Sequence, residues 1–286
     1  MSSIENIDNI IKNLSQSEYK FGENLLTESE IHQIKQQSRN DRGIYGVNTP
    51  IGKEIFKFIS QNDDIVIQLQ DFNDSELDAM IIKYSQASSR KYIIINSKKP
   101  LINQIFAAAH EFYHYKYSFT GNTKDSIVCS FNKDDKEEIK ANRFAAEFLL
   151  PEDALRAERE SFEKYQDKFA KQPLARQIVF CFTLTIKYSL PIKAVLYRLK
   201  EEGISNTDYL IEHYADVKKL FKEVTDDYPF VKELYSTNNK YIDEQLYNLV
   251  PFLYNKGRLE DSTVDSIIKE FNLSESQIKG GFKKDE

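Results

Sequence analysis

The chain has 286 residues, of which 41% are hydrophobic and 13% aromatic, so it carries enough apolar material for a packed core and is not a disordered protein. Its formal net charge is −6 and its pI is near 5.5, which argues against a general nucleic-acid binder with a basic surface.

The cysteine spacing and the lengths of the apolar segments indicate the cellular compartment of the protein. Cys129 and Cys181 are far apart and match no zinc or redox spacing. The N-terminus lacks a signal-peptide pattern, and no apolar run is long enough to span a membrane. We therefore expect a cytoplasmic protein whose two thiols are free.

Residues 1–45 predict a helical N-terminal extension of unknown role. A second helix of this extension is predicted over Glu28–Ser38, because Thr27 can cap its first turn and Glu30 stands at the third position of a capping box. His32 is interpreted as an ordinary surface or packing residue. The first helix of the extension is predicted from residues at helical spacing: Ile4, Ile7, Ile10, Ile11 and Leu14.

Residues 46–98 predict a small sheet with one helix before it. The helix is expected over Ile51–Gln61, and the strands over Ile65–Gln70, Ala79–Tyr84 and Tyr92–Ile95. Ser85–Arg90 is predicted to be the turn between the last two strands. An edge strand of such a sheet could hold an extended peptide by main-chain pairing, but the sequence does not indicate which strand does so.

The next segment, His110-Glu111-Phe112-Tyr113-His114, has the His-Glu-x-x-His pattern of zinc proteases. It stands in a predicted helix that begins near Pro100 and stops near Gly121. Residues four apart share one face of a helix, so His110 and His114 could bind one metal ion, with Glu111 as the general base beside it. The alternative is a chance match on a buried helix.

A third ligand is predicted on a second helix, which ends before Pro151. Glu138 precedes Asn142 by one turn, so the carboxylate could bind the metal while the amide braces a histidine through its other ring nitrogen. Alternatively, Glu137 and Glu138 are simply first-turn acids favoured by the helix dipole. Between the two helices, Thr120–Asp135 is polar and predicts a loop near the mouth of the cleft.

The remaining chain is predicted to be mostly helical. Between residues 174 and 204, five basic residues outnumber two glutamates, which gives a local charge of +3. This excess is compatible with DNA contact or with an ordinary packed helix pair, and we favour the packed pair. The predicted helices are Glu152–Lys171, Leu174–Tyr188, Pro191–Glu202, Tyr209–Phe221, Asp243–Tyr254 and Ser262–Phe271; the basic residues are Arg176, Lys187, Lys193, Arg198 and Lys200.

Taken together, these motifs resemble the ImmA/IrrE family of metallo-endopeptidases. The resemblance covers about residues 50–204 and is strongest in two stretches, the His-Glu-x-x-His motif and the pattern Glu138-x-x-Ala141-Asn142-x-Phe144-Ala145-Ala146-x-x-Leu149-x-Pro151. Upstream, Lys91–Asn96 and Gln104-x-Phe106-x-x-Ala109 resemble the family's strand and its approach to the zinc helix. Downstream, Ile186–Gly203 resembles a helix-turn-helix-like segment that often follows the protease core.

The resemblance implies an α+β, zincin-like metallopeptidase core with helical N- and C-terminal extensions. By motif position, His110, His114 and Glu138 would hold Zn²⁺ and Glu111 would act as the base. The protein substrate would be a helix-turn-helix repressor of a mobile element or a stress response. The predicted divisions are 1–45 for the N-terminal extension, 46–160 for the core, 161–204 for the helix-turn-helix-like segment and 205–286 for a C-terminal recognition module.

Two departures from the family pattern lie close to the motif. Phe112-Tyr113 stands where the family commonly has Leu-Gly, and Lys140 stands where it often has an acidic residue. Tyr113 and Tyr117 are candidates for stabilising the oxyanion, with structural packing as the alternative role. Two other functions remain open: a non-catalytic zinc-containing regulatory protein that acts through its helical C-terminal half, and a small-peptide or amino-terminal peptidase.

Overall fold

The computed structural model describes residues 26–44, 46, 50–72, 77–83, 90–118, 136–164, 173–204, 206–237, 244–270 and 275. Helix α1, Glu28–Ile44, begins with the predicted capping box, in which the Thr27 amide donates to Glu30 Oε2 at 3.0 Å and the Glu30 amide donates to Thr27 Oγ1 at 3.3 Å. The helix predicted near residues 4–14 lies outside the described residues.

Helix α1 extends six residues beyond the predicted end at Ser38, and the reason is tertiary. Asp41 and Arg42 are both buried, although charged residues normally mark a solvated helix end. Arg42 donates a hydrogen bond of 2.6 Å to the carbonyl of Phe148, a distant part of the chain. The sequence alone gives no sign of this partner.

The predicted strands are confirmed and form one mixed sheet. A short 3₁₀ helix, Gly52–Glu54, and helix α2, Ile55–Ser60, precede β1, Ile65–Gln70. Strand β2, Ala79–Lys83, and strand β3, Lys91–Asn96, follow. The order is β1-β3-β2, with β1 parallel and β2 antiparallel to β3. The turn predicted over Ser85–Arg90 lies, except for Arg90, outside the described residues.

Two helices carry the motif residues against this sheet. Helix α3, Leu101–Tyr113, continues into a π-helical turn, His114–Ser118, where a continuous α-helix was expected. Helix α4, Lys136–Leu149, packs along α3, and Phe112, Phe144 and Phe148 form a cluster of aromatic rings between them. The predicted α+β class, a small sheet beside the His-Glu-x-x-His helix with helical extensions, is confirmed. The predicted loop Thr120–Asp135 lies outside the described residues.

The other described helices follow in chain order. Helix α6, Pro173–Tyr188, and helix α7, Ile192–Glu201, are bent by 117° at their junction, an angle within the range of helix-turn-helix pairs. Among the described residues no single helix has both the length and the apolar composition to cross a membrane; only the bent α6–α7 pair meets that test jointly. The helices are α5 Glu152–Lys164, α6 Pro173–Tyr188, α7 Ile192–Glu201, α8 Thr207–Glu212, α9 Tyr214–Thr225, α10 Pro229–Leu234, α11 Glu244–Asn255 and α12 Asp261–Glu270.

One hydrophobic core joins most of these elements. Its buried side chains form a single cluster, and in chain order its members extend from Leu26, in front of α1, to Leu234, at the end of α10. A second, small cluster contains Val250 and Val264. Cys181 is a free, fully buried thiol in the larger core, whereas Cys129 lies outside the described residues. The division of the chain into four segments remains a prediction.

Candidate metal centre

The predicted ligand residues meet at one point between α3, the π turn and α4. Glu138 Oε2 lies 3.0 Å from His110 Nε2, and Glu138 Oε1 lies 3.2 Å from His114 Nε2. The two Nε2 atoms are 3.2 Å apart. Within the described part of the chain, this is the group of three side chains whose donor atoms are close enough to hold one metal ion.

The helical pattern of α3 explains why the histidines face the cleft. Ile105, Ala108 and Phe112 are completely buried and fix the opposite face of the helix against the core. His110 keeps 14% of its side chain exposed, whereas His114, one turn later at the start of the π turn, keeps only 2%. Of the two histidines, His110 therefore lies at the solvent side of the site and His114 in its interior.

The other ring nitrogen of each histidine has its own partner. His110 Nδ1 lies 3.0 Å from Asn142 Oδ1, and His114 Nδ1 lies 3.0 Å from Ser118 Oγ. Because the Asn142 atom is a carbonyl oxygen, the His110 Nδ1–H must donate, which leaves the lone pair of Nε2 free for a metal. Such partners fix the tautomer and orientation of ligand histidines. Asn142 was predicted for this role, but Ser118 was not.

The donor set fits a zinc ion. Two imidazole nitrogens and one carboxylate form a common protein ligand set for catalytic zinc, which leaves a further position open. In a tetrahedral site with bonds of 2.0–2.1 Å, neighbouring donors are about 3.3 Å apart. The two Nε2 atoms, 3.2 Å apart, are close to this spacing, and Glu138 directs one carboxylate oxygen to each of them, at 3.0 and 3.2 Å. Two imidazole Nε2 atoms that lie 3.2 Å apart and both face one carboxylate suit a cation placed between them.

Glu111 is the buried acid beside this group. It is only 4% exposed, and its buried Oε2 atom has no hydrogen-bond partner among the residues that the structure describes. Burial raises the pKa of Glu111 to about 7; His110 opposes this rise and the charge of Glu138 adds to it. A carboxyl group with this pKa can both take up and release a proton near neutral pH.

Glu138 has the opposite electrostatic character. Burial by itself would raise the pKa of Glu138, but the adjacent His110 and His114 rings lower it to about 2. This carboxylate therefore stays ionised, as a metal ligand must. Its neighbours Glu137 and Lys140 pair with each other instead, at 2.7 Å, so that Lys140 is directed to a carboxylate outside the donor group.

The two tyrosines near the motif have partners among nearby carboxylates. The Tyr113 hydroxyl lies 3.4 Å from Glu137 Oε2, and the Tyr117 hydroxyl donates to Asp41 Oδ2 at 2.7 Å. Both rings pack against Phe144. Their proposed role in stabilising an oxyanion is untested, and these contacts agree with the structural alternative.

The remaining two histidines of the chain lie in other surroundings. His32 is exposed and contacts Gln36 at 3.0 Å, whereas His213 Nδ1 contacts the carbonyl of Tyr209 at 2.9 Å. Neither belongs to the donor group. The interpretation of His32 as an ordinary histidine agrees with this position, and His213 is half-buried.

The basic residues of α6 and α7 were considered as DNA contacts, and three of them are bound to carboxylates of the protein. Arg198 is completely buried and lies 3.0 Å from Glu147 Oε2. Lys187 pairs with Glu158 at 2.5 Å, and Lys200 pairs with Asp208. This arrangement agrees with a packed helix pair.

Comparison with known proteins places these residues in a family. Residues 61–200 match the family model Peptidase M78, described as an IrrE N-terminal-like domain. The chain is also 35% identical over 69 residues to "Uncharacterized immunity region protein 2" of Bacillus phage phi105. That alignment covers 24% of this chain and 44% of the phage protein, so the chain spans less than half the length of this relative.

The family match covers all the residues of the candidate centre, from His110 on α3 to Asn142 on α4. It also includes the three strands and the α6–α7 pair up to residue 200. The chain therefore carries an IrrE N-terminal-like domain of the Peptidase M78 family over residues 61–200.

Proposed function

We propose that the chain is a zinc-dependent endopeptidase that cleaves a repressor-type transcription regulator of a mobile element or a stress response. The observation that carries this proposal is the convergence of His110, His114 and Glu138 beside the buried Glu111. A purely structural zinc site has four protein ligands and no need of a base, whereas this group offers three ligands and an adjacent buried carboxyl.

His110, His114 and Glu138 would hold the ion, with Asn142 and Ser118 orienting the two imidazoles. A zinc ion bound there would supply Lewis acidity to the peptide carbonyl and would lower the pKa of its water to about 7. Because Glu138 is ionised and its oxygens already face the two Nε2 atoms at 3.0 and 3.2 Å, the three side chains need little rearrangement to accept the ion.

Glu111 would act as the proton carrier of the reaction. It would accept a proton from the attacking water and later deliver it to the nitrogen of the departing amine. In the metal-free protein, burial raises the pKa of this carboxyl to about 7, which makes it a stronger base than an ordinary glutamate. A solvated glutamate has a lower pKa and would accept the proton of the attacking water less readily.

The substrate class is supported by the family and by one relative. The resemblance to the ImmA/IrrE family implies a helix-turn-helix repressor as the substrate, residues 61–200 match the IrrE N-terminal-like model, and the phage relative is named as an immunity region protein. The outer strands of the described sheet, β1 and β2, offer edges on which an extended segment of such a substrate could pair. We expect the reaction to take place in the cytoplasm.

The direct test is incubation of the zinc-loaded chain with a helix-turn-helix repressor encoded beside it. We expect internal cleavage at one or a few bonds, read by mass spectrometry. The control is Glu111→Gln, which should retain zinc and lose cleavage. Cleavage by this variant at the wild-type rate would contradict the role of Glu111, and stepwise loss of N-terminal residues would indicate an aminopeptidase instead.

A non-catalytic regulatory protein is the second candidate, and one feature favours it. Tyr228 and Phe230, at the start of α10, are 61% and 52% exposed, which is unusual for large aromatic residues and suits contact with a partner. In this alternative, zinc would be structural and the helical C-terminal half would bind the target. A Glu111→Gln protein that still relieves repression in cells would favour this candidate.

A further inference from the structure

Helix α1 touches both chain segments that carry the candidate ligands. Glu30 and Asp41 are 11 residues apart, which is about three turns, so they lie on the same face of the helix. Ile34 and Ser38 lie between them on this face and are buried. One side of α1 is therefore fixed against the metal centre, although α1 itself supplies no ligand.

Asp41 binds the π turn, which begins at His114. Its carboxylate is 3% exposed; it accepts a hydrogen bond of 2.7 Å from the Tyr117 hydroxyl and lies 3.5 Å from Lys116 Nζ. Tyr117 immediately precedes Ser118, whose hydroxyl contacts His114 Nδ1 at 3.0 Å. Holding Tyr117 thus holds the residue that orients the buried histidine. π-Helical turns are uncommon and occur frequently at functional sites.

Glu30 binds the first turn of α4, which carries Glu138. Glu30 Oε1 lies 2.8 Å from Lys136 Nζ and 3.6 Å from Lys140 Nζ. In the sequence, these two lysines stand two positions before and two positions after Glu138. Lys140 also pairs with Glu137, whose other oxygen contacts the Tyr113 hydroxyl. These contacts connect the beginning of α4 to the end of α3.

A third contact fixes the far end of α4. Arg42 donates to the carbonyl of Phe148 at 2.6 Å, near the C-terminal end of this helix. Since Glu30 meets the first turn of α4 and Arg42 meets the last, the two helices run side by side in the same direction. Movement of α1 would therefore change the position of α4 relative to the π turn.

We propose that α1 is a positioning brace for the metal centre, in which Asp41 holds the π turn of His114 through Tyr117 and Glu30 holds the first turn of Glu138 through Lys136 and Lys140. The inference rests on the proposed function, because it assumes that these residues bind a metal. It gives a role to a segment outside the matched family domain, residues 61–200. Asp41, Tyr117 and Glu30 are positioning residues and touch no reacting atom.

The test is the zinc affinity of the full-length chain, measured by competition with a chromophoric chelator. Tyr117→Phe removes only the hydroxyl and keeps the ring that packs on Phe144. We expect this variant and Asp41→Asn each to weaken zinc binding by about tenfold, the lower end of the range for groups that support metal ligands. Glu30→Gln should weaken it about threefold, because its ion pairs are partly solvated.

The matched control is Arg39→Gln, which lies on the same helix. Its exposed pair with Asp153 joins α1 to α5 and contacts no ligand-bearing segment, so zinc affinity should match that of wild type. Thermal unfolding of each metal-free variant is measured in parallel. A role in folding alone would lower the unfolding temperature and leave the zinc affinity of the folded variant unchanged.

The outcomes separate this inference from the proposed function. Weaker zinc binding by folded Tyr117→Phe, with Arg39→Gln unchanged, supports the brace. Wild-type affinity in Tyr117→Phe, Asp41→Asn and Glu30→Gln alike overturns the brace and leaves the proposed function intact. A wild-type protein that binds no zinc overturns both. Should Asp41→Asn fail to fold, the milder Tyr117→Phe variant decides the question.

Discussion

Replacing Glu111 by glutamine should make the metal-free protein more stable, and the gain should grow with pH. Burial raises the pKa of Glu111 from 4.5 to about 7, so between these pH values the unfolded chain loses a proton that the native protein keeps. The native state of the wild type is destabilised as pH rises through this window. Each pKa unit corresponds to about 1.4 kcal/mol, so the penalty above pH 7 is roughly 3 kcal/mol.

The assay is urea unfolding of chelator-treated protein, followed by circular dichroism at pH 5, 6, 7 and 8. The difference in free energy of unfolding between Glu111→Gln and wild type should increase by about 2.5 kcal/mol between pH 5 and pH 8. Thr183→Ala, on an exposed face of α6, changes no ionisable group and should give a difference that does not depend on pH. A flat difference for Glu111→Gln would refute the reasoning that burial sets its proton affinity.

Three further predictions concern other residues. Asn142→Ala and Ser118→Ala should each weaken zinc binding about 10- to 100-fold, because each removes the partner of a ligand histidine; unchanged affinity in the chelator competition would contradict this role. Arg198→Met should lower the free energy of unfolding by about 2 kcal/mol, since it removes one of the two guanidinium groups, Arg198 and Arg143, that pair with the buried Glu147 carboxylate; urea unfolding indistinguishable from wild type would oppose this. In a Cys129→Ser background, Cys181 should resist alkylation at pH 8, because burial raises its pKa to about 12; rapid labelling of the native protein would show that the thiol is accessible.

The sequence predicted the parts of the site that depend on helical spacing. The interval of four residues between His110 and His114 required them to share a face, and the structure brings both to Glu138. The same spacing rule would have drawn attention to Ser118, four residues beyond His114. Spacing alone did not identify Ser118, because serine is a common residue and no motif for metal sites includes a serine at this position.

Other features depend on contacts between distant parts of the chain, which local pattern does not reveal. The continuation of α1 to Ile44 depends on Arg42 and the carbonyl of Phe148, 106 residues away. The change to π-helical geometry at His114 occurs where Tyr117 meets Asp41, 76 residues away. Propensity and periodicity describe neighbours along one element, so neither could indicate these pairings.

The measurement that tests the central claim most directly is the metal content of the purified chain beside that of a His110→Ala, His114→Ala double variant. Both proteins are reconstituted with zinc, freed of excess metal, shown to be folded by circular dichroism and analysed by mass spectrometry. We expect about one zinc ion per wild-type chain and none in the variant. Wild-type protein that is folded and yet retains no zinc, or a variant that retains as much as wild type, would contradict the proposed metal centre.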